Sequence, residues 1–167
     1  YQSSIGTGVS KPVIRGRSGS SVITYVNGLR IQNQQWGNDH GLPITSIGIG
    51  SVEVIKGPAS LLYGADALGG VLYFVDEPYE EKNKVSGFVS SRFESNNLGT
   101  SNQAGIKFAK ENFRFNLYGG YDNYADYSAP TGGQVLNSRF NQSSAKLSMG
   151  YSKKRWVVDL RYNFYHG

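Results

Sequence analysis

Residues 32–43, QNQQWGNDHGLP, gather the side chains best suited to holding a small polar molecule. Gln34, Gln35, Trp36, Asn38, Asp39 and His40 supply amide donors and acceptors, an indole to stack on, a carboxylate and an imidazole. Leu42 is the only aliphatic side chain among them. The plain alternative is a surface loop whose Trp tucks against its own domain. Asp39 and His40 alone give too few ligands for a metal site.

Elsewhere the chemistry thins out. GTGVSKP at 6–12 is glycine-rich, but no GK[ST] follows it and no strand precedes it, so it is not a phosphate loop. GRSGSS at 16–21 lacks the G-x-S-x-G elbow of a serine hydrolase and has no base nearby. His40 and His166 are the only histidines, with no H-E-x-x-H spacing for zinc. The absence of cysteine removes a thiol nucleophile, a disulfide framework and a Cys-ligated metal. The expectation is a binding protein, not an enzyme, with no catalytic residues, resident metal or cofactor.

Composition points to extended structure. Among 167 residues there are 22 Gly and 22 aromatics, while charged residues make up only 17%. No apolar run reaches the ~18 residues of a membrane helix, so any membrane crossing must be made by strands. The chain starts at Tyr1 instead of Met, which reads as a processed chain or a piece of a longer one. The net charge of +5 lies entirely after residue 78, where twelve Lys/Arg face seven Asp/Glu. Much of it sits at turns, with no continuous basic patch or reading element, so nucleic acid is not expected as a partner.

The two halves differ in kind. Residues 1–78 read as a compact α+β domain. VIRG, SSVITYVNGLRI, SVEVIKG and GGVLYFV are its strands, Asn27-Gly28 is a hairpin turn, and ASLLYGADAL is a short helix. DEPYEEKNK marks the change, with residues 79–84 as linker. From Val85 onward the hydrophobic period becomes two. Five segments starting near Val85, Ala104, Phe113, Ala145 and Trp156 alternate apolar with polar over about 9–11 residues; Phe88 interrupts the first. KEN (110–112) and KKR (153–155) are short connections, while 95–100 and 122–138 are long ones. Amphipathic strands of bilayer-spanning length, with short turns at one end and long loops at the other, describe an outer-membrane barrel. A soluble sandwich would have shorter strands and irregular loops.

VIRGRSGSSVITYVNGLRI, the polar loop and LPITSIGIGSVEVIKGPASLLYGADALGGVLYFVD, followed by amphipathic strands, together resemble a TonB-dependent outer-membrane receptor. The resemblance covers the C-terminal part of the plug (1–78) and the first barrel strands (85–167). It implies an α+β plug within a 22-stranded antiparallel transmembrane barrel, of which this chain holds about five strands. It also implies uptake of a ferric siderophore, haem, cobalamin or another chelate, energised by the TonB–ExbB–ExbD complex. The surrounding partner would be outer-membrane lipid. By resemblance, Arg15 and Lys56 are the plug cations that face barrel carboxylates. Lys56 replaces the usual Arg there, keeping the charge but losing the bidentate grip. Residues 32–43 become the plug's apical loop, with Gln34–His40 as ligand contacts. The alternative is a plugged structural or adhesive barrel without active transport; a passive porin would lack the folded plug. The TonB box and most of the barrel would lie outside this sequence.

Overall fold

The computed structural model describes residues 2–6, 9–31 and 44–167, with backbone alone through Lys11. The chain divides into two compact units. One comprises Tyr1–Ile44 and Ile49–Glu77; the other comprises Thr45–Gly48 and Pro78–Gly167.

The first unit opens with a small hairpin of β1 (Gln2–Gly6) and β2 (Val9–Pro12). Its main sheet holds β3 (Val22–Val26), β4 (Leu29–Ile31), β5 (Ile49–Ile55) and β6 (Gly70–Asp76) in the order β4-β3-β6-β5. The central strands β3 and β6 are parallel, and the outer pairings are antiparallel. Because successive side chains point to opposite faces, β3 and β6 can fill two cores at once. Val22 and Leu72 pack with Ile14 on one face, while Ile23 and Val71 pack with Ala67 on the other. VIRG forms no strand. It folds into a tight turn in which Ile14 and Arg17 exchange backbone hydrogen bonds of 2.9 and 3.0 Å. Asn27-Gly28 makes the expected turn, with φ of 50° and 86°.

The expected helix 59–68 is instead a 3-10 helix over Gly57–Tyr63, followed by turns. Pro58 starts it and Gly64 ends it, which leaves too few residues for a regular α-helix. Ser60 Oγ bridges the loop, lying 2.8 Å from the Gly57 carbonyl and 2.9 Å from that of Ala67. The Gly69-Gly70 pair then lets β6 enter the sheet. A Cβ on Gly69 would lie 2.9 Å from the Ser21 carbonyl, and one on Gly70 2.8 Å from the Ile55 carbonyl.

The second unit is dominated by a five-stranded antiparallel meander: β7 (Val85–Glu94), β8 (Gly99–Lys110), β9 (Phe113–Tyr124), β12 (Phe140–Lys153) and β13 (Trp156–His166). The long β9–β12 connection carries a hairpin of β10 (Ser128–Ala129) and β11 (Gly133–Gln134). All five long strands are legible in the alternation, but β8 and β12 begin at Gly99 and Phe140, some five residues before the expected segments, so strand replaces part of the loops expected at 95–100 and 122–138. The short connections are also tighter than KEN and KKR suggest. Lys110 pairs with Phe113 and Lys153 with Trp156, so each turn has two residues, with Glu111 and Lys154 at φ of 51° and 53°. A three-residue turn would have set polar Ser152 opposite Trp156 and mixed the two faces.

The burial of this sheet is inverted relative to a water-soluble one. Leu117 lies in register with Ile106 and Leu147, and Phe115 with Phe108 and Met149. Leu117 nevertheless stays 46% exposed although its strand is flanked on both sides. On the opposite face Asn116, Lys146 and Ser148 are buried. Phe88 falls on this polar face, where its ring meets Tyr118 at 6.3 Å over the space left by Gly105. A strand of twelve residues at ~3.3 Å each, tilted by ~45°, spans roughly the 30 Å of a hydrocarbon core. Replacing Leu117 with Arg should therefore cost about 2–4 kcal/mol of folding stability in a bilayer, with full effect near the midplane. Equilibrium unfolding of the full-length protein in lipid vesicles checks it; a neutral outcome would mean that this face does not meet lipid.

Candidate functional site

The six residues expected to contact ligand, Gln34, Gln35, Trp36, Asn38, Asp39 and His40, lie outside the described residues. The two expected ionic anchors are described. Arg15 sits exposed in the Ile14–Arg17 turn with φ of 51°. Lys56 is exposed directly before the 3-10 helix, in extended backbone.

The most developed polar cluster among the described residues was not anticipated from sequence. Strand register sets Arg114, Gly150 and Asp159 side by side in one row across β9, β12 and β13. The Tyr79 ring lies on Gly150, where a Cβ would come within 3.1 Å of its Cε2. The Tyr79 hydroxyl donates to Asp159 Oδ2 at 2.9 Å, and the Arg114 guanidinium stands 5.2 Å from the ring centroid. Arg161 Nε donates to the other Asp159 oxygen at 2.7 Å. In the next row, Asn116 Nδ2 reaches the Pro78 carbonyl at 3.4 Å. Ring, hydroxyl and preceding carbonyl are thus each seated on the polar face. A second close approach lies in the same unit: Gly48, at φ 64°, would place a Cβ 2.7 Å from the Tyr118 ring.

Burial, then the hydrogen bond to Asp159 and its charge, push the Tyr79 phenol up to about 12. The neutral hydroxyl is therefore the form the fold favours. Its contribution is complete below the ordinary value of 10 and is lost as pH rises through about 12. The segment continues with Glu80, whose carboxylate accepts from Ser86 Oγ and is thereby held below its ordinary range. Lys84 pairs with Glu81 at 2.6 Å.

At the opposite end of the sheet, Asp126 organises the long connection. Its carboxylate accepts the backbone N–H groups of Ser138 and Arg139, both at 2.7 Å. Desolvation acts to raise its pKa, but these donors outweigh it and hold it below the ordinary value. Ser138 Oγ in turn lies 2.6 Å from the Val135 carbonyl.

Comparison with known proteins now bears on both units. Residues 1–71 match the family described as TonB-dependent Receptor Plug Domain. Over that stretch the chain is similar to the plug of TonB-dependent receptors. It is 30% identical over 76 residues to the vitamin B12 transporter BtuB of Vibrio vulnificus (strain YJ016), a stretch that covers 46% of this chain and 12% of that protein. The copper transporter OprC superposes with a TM-score of 0.75 over 98% of this chain and 26% of its own, at 21% identity. The FrpB iron transporter from Neisseria meningitidis gives 0.70 over 90% of this chain and 24% of its own, also at 21% identity. The chain therefore spans about an eighth of the BtuB relative and a quarter of these solved structures. At such identities the superpositions establish the fold, a plug followed by antiparallel barrel strands.

Tyr79 thus fastens the segment leading into β7 to the strands of its own unit. Tyr79→Phe keeps the ring on Gly150 but loses a hydrogen bond to a charged acceptor, at a cost of about 1.5 kcal/mol. Hydrogen exchange across residues 79–84 of the full-length protein should speed up roughly tenfold, and unchanged exchange would remove the hydroxyl's role. In the alkaline difference spectrum between wild type and Tyr79→Phe, the missing phenolate should titrate near 12 instead of 10.

Proposed function

We propose that this chain forms the plug (1–78), linker (79–84) and first barrel strands (85–167) of a bacterial outer-membrane transporter for a scarce nutrient. Its energy would come from the TonB–ExbB–ExbD complex. The carrying observation is the succession itself: a plug-domain match over residues 1–71, then directly a sheet whose apolar face is the exposed one. A plug has a purpose only in a pore large enough to need closing, and a barrel of spanning strands provides one.

The cargo class we favour is a ferric siderophore, haem or another metal chelate. Structural relatives include a copper transporter, an iron transporter and the ferric enterobactin receptor PfeA of Pseudomonas aeruginosa, while the sequence relative is a vitamin B12 transporter. Such cargoes are polar, bulky and rich in oxygen acceptors. Gln34, Gln35, Trp36, Asn38, Asp39 and His40 would meet them with amide and imidazole donors and a stacking indole. Arg15 and Lys56 would hold the plug through barrel carboxylates, without contacting cargo.

A receptor-deletion strain carrying the full-length gene should regain growth on one member of a panel of iron, haem, copper and cobalamin sources, and lose it when TonB is deleted. Growth independent of TonB would contradict active transport. With that cargo, Trp36→Ala combined with His40→Ala should weaken binding about tenfold, the equivalent of ~1.4 kcal/mol, while barrel assembly stays intact. Unchanged affinity would remove the apical loop from the site.

A further inference from the structure

The apolar face of the five-stranded sheet ends differently at its two rims. Near the long connections its last two rows, from Ser91 through His166 and then from Phe93 through Asn141, hold no Lys, Arg, Asp or Glu. At the short-turn end, register places Lys110, Phe113, Tyr151 and Val158 in one row, with Lys153 and Trp156 in the next. Lys154 and Arg155 form the two-residue turn immediately beyond. All four cations are exposed. The only carboxylate in either of these two turns is Glu111. Between the rims, the rows running through Leu160, Tyr162 and Phe164 carry no charge at all.

We infer that Lys110, Lys153, Lys154 and Arg155, backed by Trp156 and Phe113, bind the phosphodiester headgroup of an anionic glycerophospholipid in the leaflet at the short-turn end. This rests on the membrane reading above. The chemistry matches each layer of such a lipid. The uncharged rows suit acyl chains, and the aromatics Phe113, Tyr151 and Trp156 suit the carbonyl and glycerol depth. Cations just beyond them reach the phosphate, with Lys side chains laying their methylenes along the apolar face. Four cations against one carboxylate favour an anionic headgroup over a zwitterionic one. Lys84, by contrast, is already engaged by Glu81, and Lys82 and Lys84 lie in the linker, outside these two rows.

The test uses the full-length receptor in nanodiscs of phosphatidylcholine with about one-fifth phosphatidylglycerol, with bound lipid counted by native mass spectrometry. Wild type should retain phosphatidylglycerol in preference to phosphatidylcholine. The combined variant Lys110→Gln, Lys153→Gln, Lys154→Gln and Arg155→Gln should lose that preference, by roughly fivefold for each cation that contributes. The variant Lys82→Gln, Lys84→Gln should keep it. No preference in wild type, or a preference that survives the fourfold change, would overturn the site. A brominated-lipid quenching probe at Leu117 in the same nanodiscs separates the two failures. Quenching without headgroup preference removes the lipid site alone, whereas absence of quenching removes the membrane reading with it.

Discussion

A sheet that shows Phe, Leu, Ile and Val outward and buries Lys146, Asn116 and Ser148 cannot be stable with water on both sides. An apolar side chain left wholly in water forgoes about 1.5–3 kcal/mol of transfer free energy, and Leu117, Ile106, Phe113 and Tyr151 forgo part of it, each still well exposed on strands flanked by neighbours on both sides. In the membrane reading proposed above, hydrocarbon replaces water on that face, and the backbone must then satisfy its own hydrogen bonds. An antiparallel meander with two-residue turns does this for the interior strands. Strand length, turn asymmetry and the location of charge all follow from that one requirement.

The requirement also explains what the alternation of residues made legible. One apolar and one polar face impose a period of two, interrupted at Phe88, so the presence of all five long strands could be read from sequence. The plug was less transparent. Its central strands are buried on both faces, so Val22–Val26 shows no alternation, and its 3-10 helix is too short to show a helical period. VIRG looked like a strand by composition, but a left-handed Arg15 makes it a turn.

The Tyr79 seat was hidden for a different reason. It depends on register across three strands. The two-residue turn that pairs Lys153 with Trp156 sets Gly150 against Asp159, while the pairing of β9 with β12 across the long connection sets Gly150 against Arg114; together they leave a ring-sized space that Tyr79 occupies. A glycine in the middle of a strand, flanked across the sheet by opposite charges, was the available signal. Of the ligand loop, the sequence showed composition alone: polar groups and an indole, without the geometry that would select a cargo.

These 167 residues contain no cysteine, so the central claim can be tested position by position with Cys variants labelled with a small fluorophore, made in the full-length protein with any cysteine outside this chain replaced by Ser. Successive positions from 113 to 121 would be compared in vesicles containing brominated lipid. Quenching is expected at the odd positions, including 115 and 117, and little at the even ones, including 116 and 118. Equal quenching at both sets, or quenching at the even positions alone, would contradict it.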